Sequence, residues 1–115
     1  MSETKAEDRA APRIPLRIFV DHILGEALRC TCITENLSRG GLRLAGHQRP
    51  GWGHPRHVWL EFHLPDGDET SIRALGELRY EGITAGGMRS RGFRFKYMTP
   101  SSKRRYRTFL DAARA

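Results

Sequence analysis

The chain has 115 residues, a length that suits one domain with a single core. Its formal net charge is +7, and 17 of its 20 basic residues are arginine, the exceptions being Lys5, Lys96 and Lys103. Arginine's planar fork meets phosphate or a guanine edge bidentately, so a phosphorylated or nucleic partner is favoured, with a solvated arginine-rich surface as the plainer alternative. No stretch approaches the roughly 20 apolar residues of a membrane helix, and Met1 to Arg9 lacks the apolar segment of a signal peptide, so a cytoplasmic chain without membrane insertion is the expectation.

Residues 1–12 mix alanine with both signs of charge and read as a flexible arm, the remainder (13–115) as the folded domain. Pro12 and Pro15 forbid a helix between them and keep the chain extended. Leu16, Ile18 and Val20 then alternate with Arg17, Phe19 and Asp21, which predicts a strand ending near Leu24 and Gly25. A second strand spans about Ala27 to Glu35, with Leu28, Cys30, Cys32 and Thr34 on one face. Asn36-Leu37-Ser38-Arg39-Gly40-Gly41 follows as a turn. Its glycines would permit positive φ and close approach of a ligand. Leu42 and Leu44, around Arg43, give a short third strand.

Gly46 to Arg56 is the longest loop. The fourth strand points Val58, Leu60, Phe62 and Leu64 inward, and His57, Trp59, Glu61 and His63 outward. Asp66-Gly67 is a strong hairpin signal, and its acidic tip with Asp68 and Glu69 reads as a solubilising turn. Ile72, Ala74, Gly76, Leu78 and Tyr80 share one face of the fifth strand, and Phe93, Phe95 and Tyr97 one face of the sixth. Thr99 suits an N-cap and Pro100 the first helical position. Tyr106, Phe109, Leu110 and Ala113 then form an apolar stripe, with Lys103, Arg104, Arg105 and Arg107 on the solvated side. The expected fold class is all-β with one helix: a six-stranded antiparallel β-barrel plus a C-terminal amphipathic α-helix.

Nothing reads as catalytic. Ser38, Ser71 and Ser90 lack a nucleophile-elbow setting, and no phosphate loop is present. Cys30 and Cys32 share a strand face about 6.6 Å apart at roughly 3.3 Å per residue, too far for a disulfide, and read as buried small hydrophobes. A zinc site joining them to His54, His57 or His63 is disfavoured because no paired ligand spacing recurs. No metal or cofactor is expected.

Arg13 and Arg17 precede Asn36, Ser38 and Gly41 as R-x-x-x-R followed by N-x-S-x-x-G, and this conjunction resembles the signature of the PilZ family. Leu78-Arg79-Tyr80, Gly92-Phe93-Arg94-Phe95 and the helix opened by Thr99-Pro100 extend the resemblance over about Arg13 to Ala113. The resemblance implies a PilZ-type barrel that binds cyclic di-GMP and passes a conformational change to a downstream protein. Arg13 and Arg17 would clamp phosphate oxygens or guanine O6/N7, Asn36 would accept from a guanine edge, and Ser38 would bond a phosphate or guanine. Gly41 would leave room for the ligand; Arg9, Arg39, Gly40 and Tyr80 are further candidate contacts. Three departures bear on the ligand. Asn36 stands where the family more often has Asp, Pro12 where some members carry an arginine linked to taking up two stacked ligands, and Tyr80 where Trp is commoner.

Two other functions remain open at this point. A basic barrel of the OB type would bind single-stranded nucleic acid, which is disfavoured because Trp52, Trp59 and Tyr80 are few as stacking aromatics. A PilZ-like adaptor would bind no nucleotide. For the receptor, the stretch before Leu16 is expected to lack an anchor, so Arg9 to Arg17 should be mobile until ligand arrives. Arg13, Arg17 and Ser38 are expected on a loop or facing solvent.

Overall fold

The computed structural model describes residues 13–23, 29–45, 56–83 and 86–114. Six strands follow one another: β1 (Phe19–Ile23), β2 (Arg29–Ser38), β3 (Gly41–Ala45), β4 (His57–Phe62), β5 (Ile72–Ile83) and β6 (Arg89–Met98). The helix α1 (Pro100–Arg114) follows β6. Every strand pair is antiparallel, and the order β1-β2-β3-β6-β5-β4 closes into a barrel, so each edge is paired. The six-stranded barrel with one terminal helix is the architecture that the alternating pattern predicts. The arm assigned to residues 1–12, the candidate contact Arg9, and the loop residues Trp52 and His54 lie outside the described residues.

Inward side chains of all six strands fill the barrel. Val20, Leu37, Leu42, Leu60, Phe62, Ile72 and Ala74 are sealed from solvent, as are Tyr106 and Leu110 of α1. The Tyr106 ring stands edge-on to Phe62 and Phe95, with centroids 6.1 and 5.4 Å away. Thr99 caps the helix as its position predicts: its Oγ1 accepts from the Ser102 amide at 3.3 Å, and Pro100 takes the first helical position.

Three bulges shift the faces that simple alternation assigns. On β2, Glu35 is skipped between the pairs Thr34↔Leu44 and Asn36↔Arg43. Thr34 and Leu37 are thus both buried, while Asn36 turns outward. On β5, Arg79 is skipped between Leu78↔Phe93 and Tyr80↔Gly92, which rotates Tyr80 out of the core face shared by Ile72 and Leu78. On β6, Lys96 is skipped opposite Leu75 and Gly76, so Tyr97 is exposed and Met98 buried. The predicted faces of Tyr80 and Tyr97 are corrected accordingly.

Arg105 leaves the solvated side assigned to it. Its Nε donates to Asp66 at 2.9 Å and its Nη1 to the Thr70 carbonyl at 2.6 Å, 35 residues away. The acidic β4–β5 tip is therefore the helix's tether rather than a solubilising turn, with Gly67 at φ +88° making its sharp bend. The hydrogen bonds from Arg105 hold the Asp66 carboxyl down to about 2. Ala113, placed on the apolar stripe, is exposed.

The chain before β1 is also anchored, contrary to expectation. Ile14 exchanges backbone hydrogen bonds with Leu37, at 2.7 and 2.9 Å. The Thr34 hydroxyl donates to the Leu16 carbonyl at 2.7 Å and accepts from the Ile18 amide at 2.8 Å. Residues 14–18 thus lie strapped across β2.

One barrel end is polar. His22 is 5% exposed, its ring edge-on to Phe93 with centroids 5.3 Å apart, and its Nε2 has no hydrogen-bond partner. Burial, and secondarily Arg91, lower its pKa to about 4. Cys30 pairs with His22 across the ladder, and both cysteines are free thiols, half-buried. Burial and the adjacent Cys30 thiol, with which it hydrogen-bonds, push Cys32 up to about 12. Among the described residues, no three His, Cys, Asp or Glu side chains gather as metal ligands.

Candidate ligand-binding face

The polar hexapeptide is shorter as a turn than its composition suggests. Asn36, Leu37 and Ser38 still belong to β2, Ser38 pairs with Gly41, and only Arg39 and Gly40 turn. Neither glycine needs a left-handed backbone, since positive φ occurs only at Gly67 and Gly87 among the described residues. Gly41 is required for another reason: a Cβ there would collide with the Phe93 carbonyl on β6. The close approach that this glycine permits is by a neighbouring strand.

The turn is held from beneath. The Tyr106 hydroxyl of α1 donates to the Ser38 carbonyl at 2.7 Å and reaches the Gly41 carbonyl at 3.3 Å. Burial raises the Tyr106 pKa, so the phenol remains a neutral donor. The Phe95 amide donates to the Gly40 carbonyl at 2.8 Å. Ser38 does not face solvent as expected: it is buried, with its Oγ 3.4 Å from the Gly41 carbonyl.

Above the turn, the two halves of the motif meet. Arg13 Nη1 donates to Asn36 Oδ1 at 2.8 Å, across 23 residues of sequence. The Glu35 bulge turns Asn36 outward, and the Ile14–Leu37 bridge sets Arg13 beside it. Arg17 and Arg39 are exposed, Arg39 at the turn's tip beside Gly40, which has open space around it.

The register then carries the outward face across the barrel. Asn36 pairs with Arg43, Arg43 with Gly92, and Gly92 with Tyr80. Arg43 lies over the Tyr80 ring, 4.4 Å from its centroid. Arg43 escapes sequence reasoning because one polar residue between Leu42 and Leu44 looks like any outward strand position. The next row, Ser38–Gly41–Arg94–Glu77, borders this line. Desolvation alone would raise the pKa of Glu77 there, but Arg79, Lys96 and Arg56 outweigh it and lower the pKa instead. Arg13, Asn36, Arg43 and Tyr80 therefore form a cationic, partly aromatic line with glycine at its middle. Such a face can hold a flat anionic ligand by charge, amide bonding and stacking.

A family model described as "PilZ domain" matches residues 7–112. No curated protein matches the chain. Among solved structures, the Bacillus subtilis inhibitor of motility MotI/DgrA is similar at 14% identity and a TM-score of 0.72. The alignment covers 90% of this chain and 48% of that one, so the chain spans about half the inhibitor's length. The PilZ domain of Escherichia coli YcgR, solved with c-di-GMP, is 14% identical with a TM-score of 0.66, covering 90% of this chain and 89% of that one. The PilZ domain of CeSA from a cellulose-synthesizing bacterium is 22% identical with a TM-score of 0.54, over 80% and 87% of the two chains. These structures share the barrel, and the family model spans the strap, the turn and the helix that build this face: the chain belongs to the PilZ domain family.

Proposed function

We propose that the chain is a receptor for cyclic di-GMP that passes the binding event to a partner protein. The observation that carries this reading is the Arg13–Asn36 hydrogen bond, which joins the R-x-x-x-R and N-x-S-x-x-G halves on one exposed face. The similar YcgR domain, solved with c-di-GMP, supports it. In this chain, Arg13 and Arg17 supply guanidinium groups for phosphate oxygens or guanine edges, and Asn36 supplies an amide. The Asn36 carbonyl oxygen already accepts from Arg13, so ligand must share or displace that bond. Displacing it frees Arg13 from β2 while the Ile14–Leu37 bridge holds the strap behind it. A partner would read that rearrangement near the chain's beginning. No helix among the described residues is long and apolar enough to cross a membrane.

An adaptor that binds no nucleotide is the second reading, favoured by Ser38 being buried and by Asn36 already having a partner. Substitution separates the two. Arg13→Ala and Arg17→Ala are each expected to weaken cyclic di-GMP binding by about 1.5–3 kcal/mol, the range for hydrogen bonds to charged groups. Circular dichroism should stay unchanged, because both side chains are exposed. Wild-type affinity in both variants would place the ligand elsewhere.

A further inference from the structure

We propose that the Arg43 guanidinium, lying over the Tyr80 ring, is the surface on which one guanine of the ligand stacks, with Tyr80 as its positioning residue. This rests on the receptor reading above. A Cβ at Gly82 would meet the Tyr80 ring and hydroxyl, and one at Gly92 would press on the Tyr80 Cβ at 3.2 Å. The ring therefore lies down along the sheet over two positions without side chains. The Arg79 bulge delivers it to this outer face, where it is 42% exposed.

Arg43 completes the shelf. Its guanidinium lies over the ring at 4.4 Å, and none of the ion pairs among the described residues includes it. Its Nε is sealed from solvent without an acceptor. A buried N–H left unpaired is unfavourable, and such exceptions call for an explanation. A guanidinium laid on an aromatic offers its second planar face, is weakly hydrated, and stacks well with nucleobases. Its charge also adds to the attraction for a dinucleotide's phosphates. The cross-strand pairing places Asn36 beside Arg43, at the roughly 5 Å spacing of paired strand residues, so a base stacked on Arg43 has its edge within reach of the Asn36 amide. The stack and the edge contact are thus parts of one base site.

Calorimetric titration with cyclic di-GMP tests this on the full chain and four variants, each checked for folding by thermal melting. Arg43→Ala is expected to weaken binding ~10-fold, and Tyr80→Leu ~3- to 10-fold. Arg43→Lys keeps the charge but loses the plane, and should be nearly as weak as Arg43→Ala. Tyr80→Phe keeps the shelf and should bind within about twofold of wild type. On the wild-type protein, the Arg43 Nε–H resonance should shift on ligand addition from the ring current of the stacked base. This readout is independent of whether any variant folds. If wild type binds while Arg43→Ala or Arg43→Lys matches it, or while the Arg43 resonance stays still, the stacking assignment is overturned and the receptor reading survives. If wild type itself binds nothing, both fall.

Discussion

Tyr106→Ala is expected to lower folding stability by about 3–5 kcal/mol, the usual range for truncating a buried aromatic. Tyr106 is 1% exposed and packs edge-on to Phe62 and Phe95, so its removal leaves a cavity between helix and barrel. A domain with the ordinary stability of about 5–15 kcal/mol loses a large share of it. Tyr106→Phe isolates the hydroxyl. It keeps the ring but removes the 2.7 Å hydrogen bond to the Ser38 carbonyl, at about 1–2 kcal/mol. Because that hydroxyl holds the Ser38–Gly41 pair, amide exchange at Arg39, Gly40 and Gly41 should rise in Tyr106→Phe. Chemical denaturation gives the stabilities. A Tyr106→Ala variant as stable as wild type would mean that α1 is not part of the core.

Stability should also fall between neutral and mildly acid pH, and His22 should be the cause. Burial first, then Arg91, lowers its folded-state pKa from 6.5 to about 4. Between those values the unfolded chain binds a proton that the folded chain excludes. The contribution is therefore complete above pH 6.5, is lost as pH falls towards 4, and does not change further below that. Its full size is about 3 kcal/mol at 1.36 kcal/mol per unit. His22→Leu removes the titrating group while keeping an apolar filler against Phe93. Denaturation at pH 7 and pH 4.5 should then show a large drop in wild type and a much smaller one in the variant. Equal drops would assign the slope elsewhere. The depressed carboxyls of Asp66, Asp68 and Glu77 act in a lower window, losing their contribution as pH falls below their ordinary values near 4.

Most of the fold was legible because its strands alternate and its helix does not. Val58, Leu60, Phe62 and Leu64 are buried as read, and Thr99 and Pro100 mark the helix start in sequence and structure alike. The bulges were not legible, because one skipped residue leaves no compositional trace. Nothing in Glu35, Arg79 or Lys96 distinguishes a bulged residue from an ordinary outward one. Yet these bulges decide that Asn36 and Tyr80 face out together. Pairings of long sequence separation were equally hidden: Arg105 with Asp66, and Ile14 with Leu37. The motif residues were found as types, but their partners follow only from the fold: Arg43 beside Asn36 from the strand register, and Tyr106 beneath the turn from the packing of the helix.

The strap also changes the expected sequence of events on binding. With Ile14, Leu16 and Ile18 amides already bonded, ordering a free arm cannot be the whole response over Arg13 to Ile18. In that stretch the Arg13 side chain can leave Asn36 without breaking the backbone bridge.

Isothermal titration of the wild-type chain tests whether this face binds cyclic di-GMP. A saturable heat with a dissociation constant around micromolar, roughly −8 kcal/mol, is expected, with a much weaker response to a single-stranded oligonucleotide of matched charge. Folded protein giving no heat at high micromolar cyclic di-GMP, or a salt-sensitive response to the oligonucleotide alone, would contradict it.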